Sequence, residues 1–299
     1  MISFEEDWER EPKGKKRKKD YKLMKVERYV FDDLTLQTLY KLAQRRIIAG
    51  IGGPISTGKE SIVFHAIGGS AAGSGGVREV GDETQEKRQR EIAVKIYKVS
   101  TSNFKAMLEY ILGDPRFENV KKDRRSVVFT WARKEFKNLK RAFRAGVSVP
   151  APLAYEKNVL VMDFIGREGI PAPRLRDVPE EILRPHAQNI FERILANVKV
   201  LYEKAGLVHA DLSEFNILLD FKMEGGEEER VSEGIPASAL PASALSSARP
   251  VLIDMGQAVL TSHPKAMDFL QRDLRNIVAF FQKLGLNLSH EDVCKEILS

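Results

Sequence analysis

Leu207-Val-His-Ala-Asp-Leu-Ser-Glu-Phe-Asn216 is the stretch whose reading decides the fold. An apolar lead-in delivers His209 and Asp211, and Asn216 follows five residues after Asp211. A loop of this spacing can hold two chemical jobs. Asp211 can accept a proton from an attacking hydroxyl or water, and Asn216 can present a carbonyl oxygen to a magnesium ion. Phosphoryl transfer needs both, because its transition state is stabilised mostly by positioning and by metal charge. The protein-kinase catalytic loop reads H-R-D-x-x-x-x-N, and Ala210 stands here in place of its Arg. The competing reading is a helix-to-strand turn with incidental polar residues, so the flanking chain has to decide.

Upstream, Ile51-Gly-Gly-Pro-Ile-Ser-Thr-Gly-Lys-Glu-Ser-Ile-Val-Phe-His65 is glycine-rich, which lets a backbone come close to phosphates. Gly53-x-x-x-x-Gly58-Lys59 is nearly a Walker A loop, but Glu60 occupies the place of the magnesium-binding Ser or Thr. A Walker A loop also opens a helix, whereas the β-branched, apolar run from Ser61 predicts a strand. This favours a strand–loop–strand flap over a nucleotide rather than a P-loop NTPase. Glu91–Tyr97 reads as the next strand, and Lys95 in it matches the lysine of V-A-I-K that holds α- and β-phosphates. The bland alternative places Lys95 on the strand's solvent face. The pattern from Val127 to Arg144 predicts an amphipathic helix with Trp131, Phe136, Leu139 and Phe143 on its apolar side. Glu135 on that helix is a candidate partner for Lys95, although a helical glutamate is usually solvated. Val159–Asp163 is a buried-type strand continued by Phe164-Ile-Gly166, and a strand leaving one lobe for another offers backbone groups to an adenine edge.

Upstream of the loop, a helix is predicted over residues 33–49 with Gly50 as the stop, and residues 180–205 read as mostly helical with Gly206 as the stop. Downstream, Ile217–Asp220 is a strand, and Pro250-Val-Leu-Ile-Asp-Met-Gly-Gln257 ends another with Asp254. Asp254 followed by Met255 and Gly256 has the layout of D-F-G; an ordinary turn-starting Asp is the alternative. A helix is predicted from Pro264 to Leu284, with Asp273 able to anchor the catalytic loop from behind. Ser289 reads as the N-cap of a last short helix.

Composition sets bounds on these readings. Hydrophobic residues make up 43% and charged residues 30% of the 299, which is ordinary for a soluble globular protein. The net charge of +6 and pI near 9.2 suit a polyanionic partner. One cysteine, Cys294, leaves no internal disulfide and fits a reducing compartment. There is no apolar signal region at the N-terminus and no run of about 20 apolar residues. The expectation is therefore a cytoplasmic protein with no membrane contact. Lys13–Lys19 carries six basic residues in seven and is either a phosphate-contacting tail for RNA or a solubilising terminus.

The glycine flap, strand lysine, helix glutamate, hinge strand, Asp-x4-Asn loop and strand-end Asp occur in the order of a two-lobed kinase. Ser56-Thr-Gly-Lys-Glu-Ser61, the loop at 207–216 and Ile253-Asp-Met-Gly-Gln257 resemble the RIO family of atypical serine/threonine kinases, in its archaeal-like type-one branch. The type-two branch carries an N-terminal winged-helix domain, for which the fifty or so residues before the flap are too few. The resemblance covers roughly residues 30–299 and implies an α+β, reduced protein-kinase fold. The expected division is a basic, disordered tail at 1–28, an N-lobe at 29–162 with a flexible insertion at 68–90, and a C-lobe at 163–299 with a low-complexity insertion at 222–249.

That resemblance also implies roles. Ser56, Thr57 and Lys59 would approach the triphosphate, and Lys95, paired with Glu135, would hold phosphates. Met162 would back the adenine pocket, with Asp163 and Ile165 bonding adenine through their backbones. Asp211 would be the catalytic base. Asn216 and Asp254 would hold Mg2+, for which Mn2+ can substitute. Asp254 would also be a nucleophile able to form a 4-aspartylphosphate, which is reasonable for a carboxylate beside a γ-phosphate. Only 45 residues follow Asp254, which leaves no room for both an activation loop and a large peptide-docking subdomain. The resemblance implies ATPase action on the pre-ribosomal small subunit and its rRNA, with ATP turnover as a release switch, beside or instead of protein phosphorylation. A non-catalytic RNA-binding scaffold with a nucleotide fold is the alternative.

Overall fold

The computed structural model describes residues 2–3, 32–72, 90–100, 103–117, 120–221 and 245–299. The basic block at 13–19, most of the 68–90 insertion and residues 222–244 lie outside the described residues. The chain divides into two compact units, Met1–Met107 with Val120–Arg133 and Pro152–Phe164, and Leu108–Asn119 with Lys134–Ala151 and Ile165–Ser299.

The first unit is built on a six-stranded antiparallel sheet in the order β1-β2-β3-β4-β6-β5. Its strands are β1 (Ile2–Ser3), β2 (Ile48–Thr57), β3 (Ser61–Gly68), β4 (Glu91–Tyr97), β5 (Pro152–Glu156) and β6 (Val159–Asp163). Strand β1 falls inside the stretch expected to be disordered and pairs Ile2 with Ile51. Strand β4 is flanked on both edges, by β3 and β6, so nearly every residue in it is buried. Ile62 and Phe64 of β3, Ile92, Val94 and Ile96 of β4, and Val159 and Val161 of β6 form the core with Leu39 and Leu42 of α1 (Asp33–Gln44). Asp32 caps that helix by accepting the Thr35 N–H at 2.8 Å.

Helix α1 stops earlier than expected. Arg46 turns to φ 55°, and Ile47 N–H bonds back to Leu42 O at 3.0 Å. The β-branched run Ile47-Ile48 then enters the sheet, so residues 48–49 are strand and Gly50 ends nothing. The flap is two strands joined at a tight turn, and β3 begins at Ser61 where a P-loop would need a helix.

The second unit is mainly helical. It contains α4 (Glu180–Leu183), α5 (Ala187–Glu203), α6 (Ala266–Lys283) and α7 (His290–Leu298); α2 (Phe104–Leu112) and α3 (Arg124–Arg144) have residues in both units. Ile190, Ile194, Val198 and Leu201 on α5 and Leu270, Leu274, Ile277 and Phe281 on α6 are its buried apolar stripes, and Phe191 meets Phe281 edge to face at 5.3 Å. Residues 180–205 are mostly helical, as expected, with a 3-10 turn at Arg184–His186 between α4 and α5 where Pro185 has no N–H for a helical bond. Two corrections concern these elements. The strand expected to run on through Gly166 stops at Asp163. A separate hairpin of β7 (Gly166–Arg167) and β8 (Ile170–Pro171) follows, turned by Glu168 and Gly169 at φ 50° and 77°, the positive-φ pair a two-residue hairpin favours. On α3 the buried stripe runs through Val128, Trp131, Ala132, Leu139 and Ala142, while Phe143 is exposed.

Short strand pairs frame the loop at 207–216. Strand β9 (Leu207–Val208) pairs with β12 (Val259–Leu260), and β10 (Ile217–Asp220) pairs with β11 (Arg249–Leu252). Ser289 caps α7 as expected, its hydroxyl accepting from Asp292 N–H.

Candidate active site

Asp211 and Asn216 are held within one turn. Asn216 Nδ2 donates to the Asp211 carbonyl at 2.8 Å and reaches its Oδ2 at 3.3 Å. With the amide nitrogen engaged, Asn216 Oδ1 is the atom left to meet a cation. Asp254 is placed beside Asn216 by the strands themselves. Ile217 faces Leu252 in the β10–β11 pair, and Ile253 N–H bonds Asn216 O at 3.0 Å. His209 Nε2 donates to Ile253 O at 3.0 Å, stitching the two loops together from the other side. Asp254 is exposed and left-handed, with φ 62°. Such a conformation is costly for a non-glycine residue and marks a position the surroundings impose.

Asp273 holds the loop from α6. Its carboxylate accepts Ala210 N–H at 2.7 Å and Leu212 N–H at 3.0 Å, and Ala210 sits at φ 64°. Arg272 donates to Ala210 O, and Asn276 to Leu212 O at 3.1 Å. Burial pushes Asp273 up to about 7, against the pull of those two N–H groups and of Arg272, with the Asp211 charge adding to the rise.

The turn after Asp254 is gripped from α3. Lys134 is fully buried, and its Nζ donates to Gly256 O at 2.8 Å and Ala258 O at 2.6 Å. Asn138 Nδ2 donates to Met255 O and Ala258 O, each at 2.9 Å. Arg116 Nη2 donates to Asn138 Oδ1 at 2.7 Å and to Asp114 Oδ2 at 2.5 Å. Burial lowers Lys134 to about 7, with Asp114 opposing. Burial also pushes Asp114 up, but its hydrogen bonds and ion pair with Arg116 outweigh this and hold it below the usual carboxylate value. From the same turn, Gln257 Nε2 reaches forward to Asp211 Oδ2 at 3.0 Å.

In the first unit, Lys95 is buried on β4 rather than solvent-facing, opposite Val63 and Leu160, with Nζ 5.2 Å from the Tyr97 ring centre. Met162 is half-buried on β6 opposite Ala93. Ser56, Thr57 and Lys59 are exposed at the flap. Its turn is closed by Gly58 N–H to Ser61 O at 2.9 Å and pinned by Lys98 Nζ to Gly58 O at 2.7 Å. Asp163 ends β6, where its side chain pairs with Arg90, whose Nε lies 2.9 Å from Oδ1. Burial pushes its carboxyl up, and Arg90 only partly pulls it back.

The second unit thus brings Asp211, Asn216 and Asp254 together, with Ile165 half-buried and Glu135 fully buried in the same unit. Ser56, Thr57, Lys59, Lys95, Met162 and Asp163 belong to the first. The oxygen donors of Asn216 and Asp254, one amide and one exposed carboxylate, suit a hard divalent cation such as Mg2+, which keeps several waters and takes one or two carboxylates. Lys134, Asn138 and Gln257 were not singled out from the sequence. The one signal was the i, i+4 spacing of Lys134 and Asn138 beside Glu135 on the face of a helix. Among the described residues no helix is long and apolar enough to cross a membrane.

A family model described as the RIO domain matches residues 79–224 and 244–293. The chain is 42% identical over 269 residues to the RIO-type serine/threonine-protein kinase Rio1 of Haloferax volcanii, covering 90% of this chain and 76% of that one. It is 35% identical to the Rio1 of Methanocaldococcus jannaschii, covering 92% of this chain and 77% of that one, and 33% identical to the serine/threonine-protein kinase RIO1 of Saccharomyces cerevisiae, where it spans 50% of the relative. Among solved structures, the Rio2 kinase-ADP/Mg2+-phosphoaspartate complex of Chaetomium thermophilum shares the fold. It has a TM-score of 0.57 at 22% identity and covers 86% of this chain and 64% of that one.

Proposed function

The chain belongs to the RIO family, in its Rio1-type branch, and from that premise we propose an ATP- and Mg2+-dependent kinase and ATPase that acts in maturation of the small ribosomal subunit. Its class is serine/threonine-protein kinase, as in the curated relatives. The observation that carries the mechanism is the Asp211 carboxylate fixed beside Asn216 and Gln257, with Asp254 one residue beyond the Asn216–Ile253 backbone bond.

In this reading Lys95 binds the α- and β-phosphates, and Ser56, Thr57 and Lys59 close on the triphosphate from the flap. Met162 backs the adenine, with Asp163 and Ile165 offering it backbone groups. Asn216 and Asp254 hold the metal, Mg2+ or Mn2+, which neutralises charge on the phosphates and so eases transfer. Asp211 takes the proton of the acceptor hydroxyl or water. Where Asp254 is the acceptor, its carboxylate oxygen bonds the γ-phosphorus as the bond to the β–γ bridging oxygen breaks. ADP leaves, and hydrolysis of the resulting acyl phosphate returns Asp254 and inorganic phosphate. The expected site of action is cytoplasmic. The basic block at 13–19 would contact rRNA phosphates, with no membrane involved.

ATP hydrolysis and acid-labile autophosphorylation of the wild type, Asp211→Ala and Asp254→Ala test this. Both variants should lose turnover by a hundred-fold or more, in the range of about 10²–10⁴ expected for a positioned base. Unchanged turnover in both would sink the proposal. RNA affinity that ignores Lys95→Ala, with no turnover in any form, would instead favour the scaffold. Deleting residues 13–19 should flatten the salt dependence of RNA affinity.

A further inference from the structure

We infer that Lys134, Asn138 and Arg116 are positioning residues for the metal ligand Asp254, a role that rests on the phosphoryl-transfer reading above. Asp254 is exposed, while Met255, Gly256 and Ala258 just after it are buried. The carbonyls of those three residues all meet donors from α3. Lys134 Nζ reaches Gly256 O at 2.8 Å and Ala258 O at 2.6 Å, and Asn138 Nδ2 reaches Met255 O and Ala258 O at 2.9 Å each. Ala258 O takes a bond from both side chains, so the two act on one turn. Asp254 opens that turn at φ 62°, a conformation that persists only where the surroundings impose it. The turn cannot unwind to relieve Asp254 without breaking those four bonds at buried donors. Lys134 and Asn138 thus hold the ligand where the Ile253–Asn216 backbone bond brings it beside Asn216.

Arg116 decides which way the Asn138 amide points. The two ends of an asparagine amide have nearly the same shape, and only their partners tell them apart. A guanidinium can only donate, and Arg116 Nη2 lies 2.7 Å from Asn138 Oδ1, so Nδ2 is the end that faces the carbonyls. Arg116 is itself fixed on the 3-10 turn Pro115–Phe117 by the buried Asp114. That carboxylate accepts its Nε at 2.8 Å, its Nη2 at 2.5 Å and its backbone N–H at 3.0 Å. Asp114, Arg116, Asn138 and the turn after Asp254 form one chain of polar contacts inside the second unit. Residues that orient a metal ligand from behind govern metal affinity nearly as strongly as the ligand does. Arg116 acts at one remove further, through Asn138.

The test uses the full chain with ADP, and Mn2+ as the probe, its binding read from the EPR signal of the free ion well below the unfolding temperature. Asn138→Leu and Lys134→Met keep the side-chain size and remove the donors. Arg116→Met keeps both donors and releases the Asn138 amide to turn over. Mn2+ affinity should fall about ten- to a hundred-fold in Asn138→Leu and Lys134→Met, and roughly three- to ten-fold in Arg116→Met. Adding Arg116→Met to Asn138→Leu should cost no further affinity, because the amide it orients is gone. Amide hydrogen exchange of residues 255–258 in the metal-free protein should quicken in all three variants. Side chains that only fill the core would lower Tm and leave the Mn2+ affinity of the folded protein unmoved. That result overturns the inference, and so does full additivity of the Arg116 and Asn138 losses. Neither Mn2+ binding nor exchange needs turnover, so ATP hydrolysis measured in parallel separates the two readings. An active wild type whose variants bind Mn2+ unchanged overturns the positioning role alone. An inactive wild type whose Mn2+ affinity still falls in the variants overturns the functional reading and upholds the positioning of Asp254. If Lys134→Met does not fold, Asn138→Leu and Arg116→Met decide the question by the same readouts.

Discussion

Asp273 and Ala210 are joined by a hydrogen bond of 2.7 Å from the Ala210 N–H to the Asp273 carboxylate, and Ala210 is left-handed at φ 64°. The strain of a side chain in that region is offset by a carboxylate that also takes the Leu212 N–H at 3.0 Å. Asp273→Asn keeps the shape but presents an NH2 to one of the two backbone donors. The expected loss is about 2–3 kcal/mol, the range for a hydrogen bond to a charged group left unmade. Urea unfolding at pH 7.5 should show a lower midpoint with an unchanged slope. Activity should fall with it, because Asp211 lies between the two anchored residues. A midpoint equal to wild type would show that the loop holds its form without Asp273.

Asp273 and Lys134 should give stability opposite slopes with pH. Burial raises Asp273 from 3.8 to about 7, so between those values the folded state holds a proton that the unfolded state has lost. Stability from this group therefore falls as pH rises from about 4 to 7. Burial lowers Lys134 from 10.5 to about 7, so between 7 and 10.5 the unfolded state holds the extra proton and stability rises with pH. Together they place a shallow minimum near neutrality. Denaturation free energies at pH 5, 7 and 9 should show the acid slope reduced in Asp273→Asn and the alkaline slope reduced in Lys134→Met. Parallel curves for wild type and both variants would refute both assignments.

Gly69→Ala should destabilise the first unit by about 1–3 kcal/mol, the usual cost of overpacking. A Cβ at Gly69 would stand 2.3 Å from Arg46 O, and that oxygen is backbone. Arg46 itself is at φ 55°, and its carbonyl accepts Ala71 N–H, so the backbone there has little room to retreat. A lowered Tm is the expected readout. An unchanged Tm would mean that the 46–72 contact yields freely.

What the sequence made legible were elements that local chemistry dictates. Strand β4 came out to the residue, because Glu91–Tyr97 is bounded by polar chain and β-branched within. Ser289 was readable as a cap, since its hydroxyl needs only the Asp292 N–H three residues on. Asn216 and Asp254 stand out by spacing and order, and the β10–β11 pairing explains how two residues so far apart in the chain are brought close. Boundaries failed where two local rules compete. Ile47-Ile48 continues the apolar period of α1 and also suits a strand, and the sheet won. The Lys134–Asn138 clamp was hidden for a different reason. A lysine and an asparagine on an amphipathic helix are read as solvated by default, and nothing nearby in the chain reveals the carbonyls of Gly256 and Ala258 that make their burial tolerable. Gln257 was quoted only as part of a motif, because its bond to Asp211 spans 46 residues.

Lys98 should matter to nucleotide affinity more than to stability. Its Nζ donates to Gly58 O at 2.7 Å, and its own N–H bonds Glu60 O at 2.8 Å, so one residue at the end of β4 grips both sides of Lys59. Asn103 adds a third tie to Glu60 Oε1 at 2.9 Å. The Lys98 bond to Gly58 is exposed, and surface contacts of this kind change stability by about 0.5 kcal/mol or less. Lys98→Met keeps the backbone bond and removes only the side-chain tie to Gly58. The flap turn then samples more conformations before it closes on the triphosphate, and that ordering cost falls on binding. KM for ATP should rise about three- to ten-fold, equivalent to roughly 0.7–1.4 kcal/mol. Tm should stay within a degree or two, and kcat within about two-fold, because Asp211 and Asp254 are held by other contacts. A Tm loss with unchanged KM would reverse the assignment and make Lys98 a structural tie of the sheet.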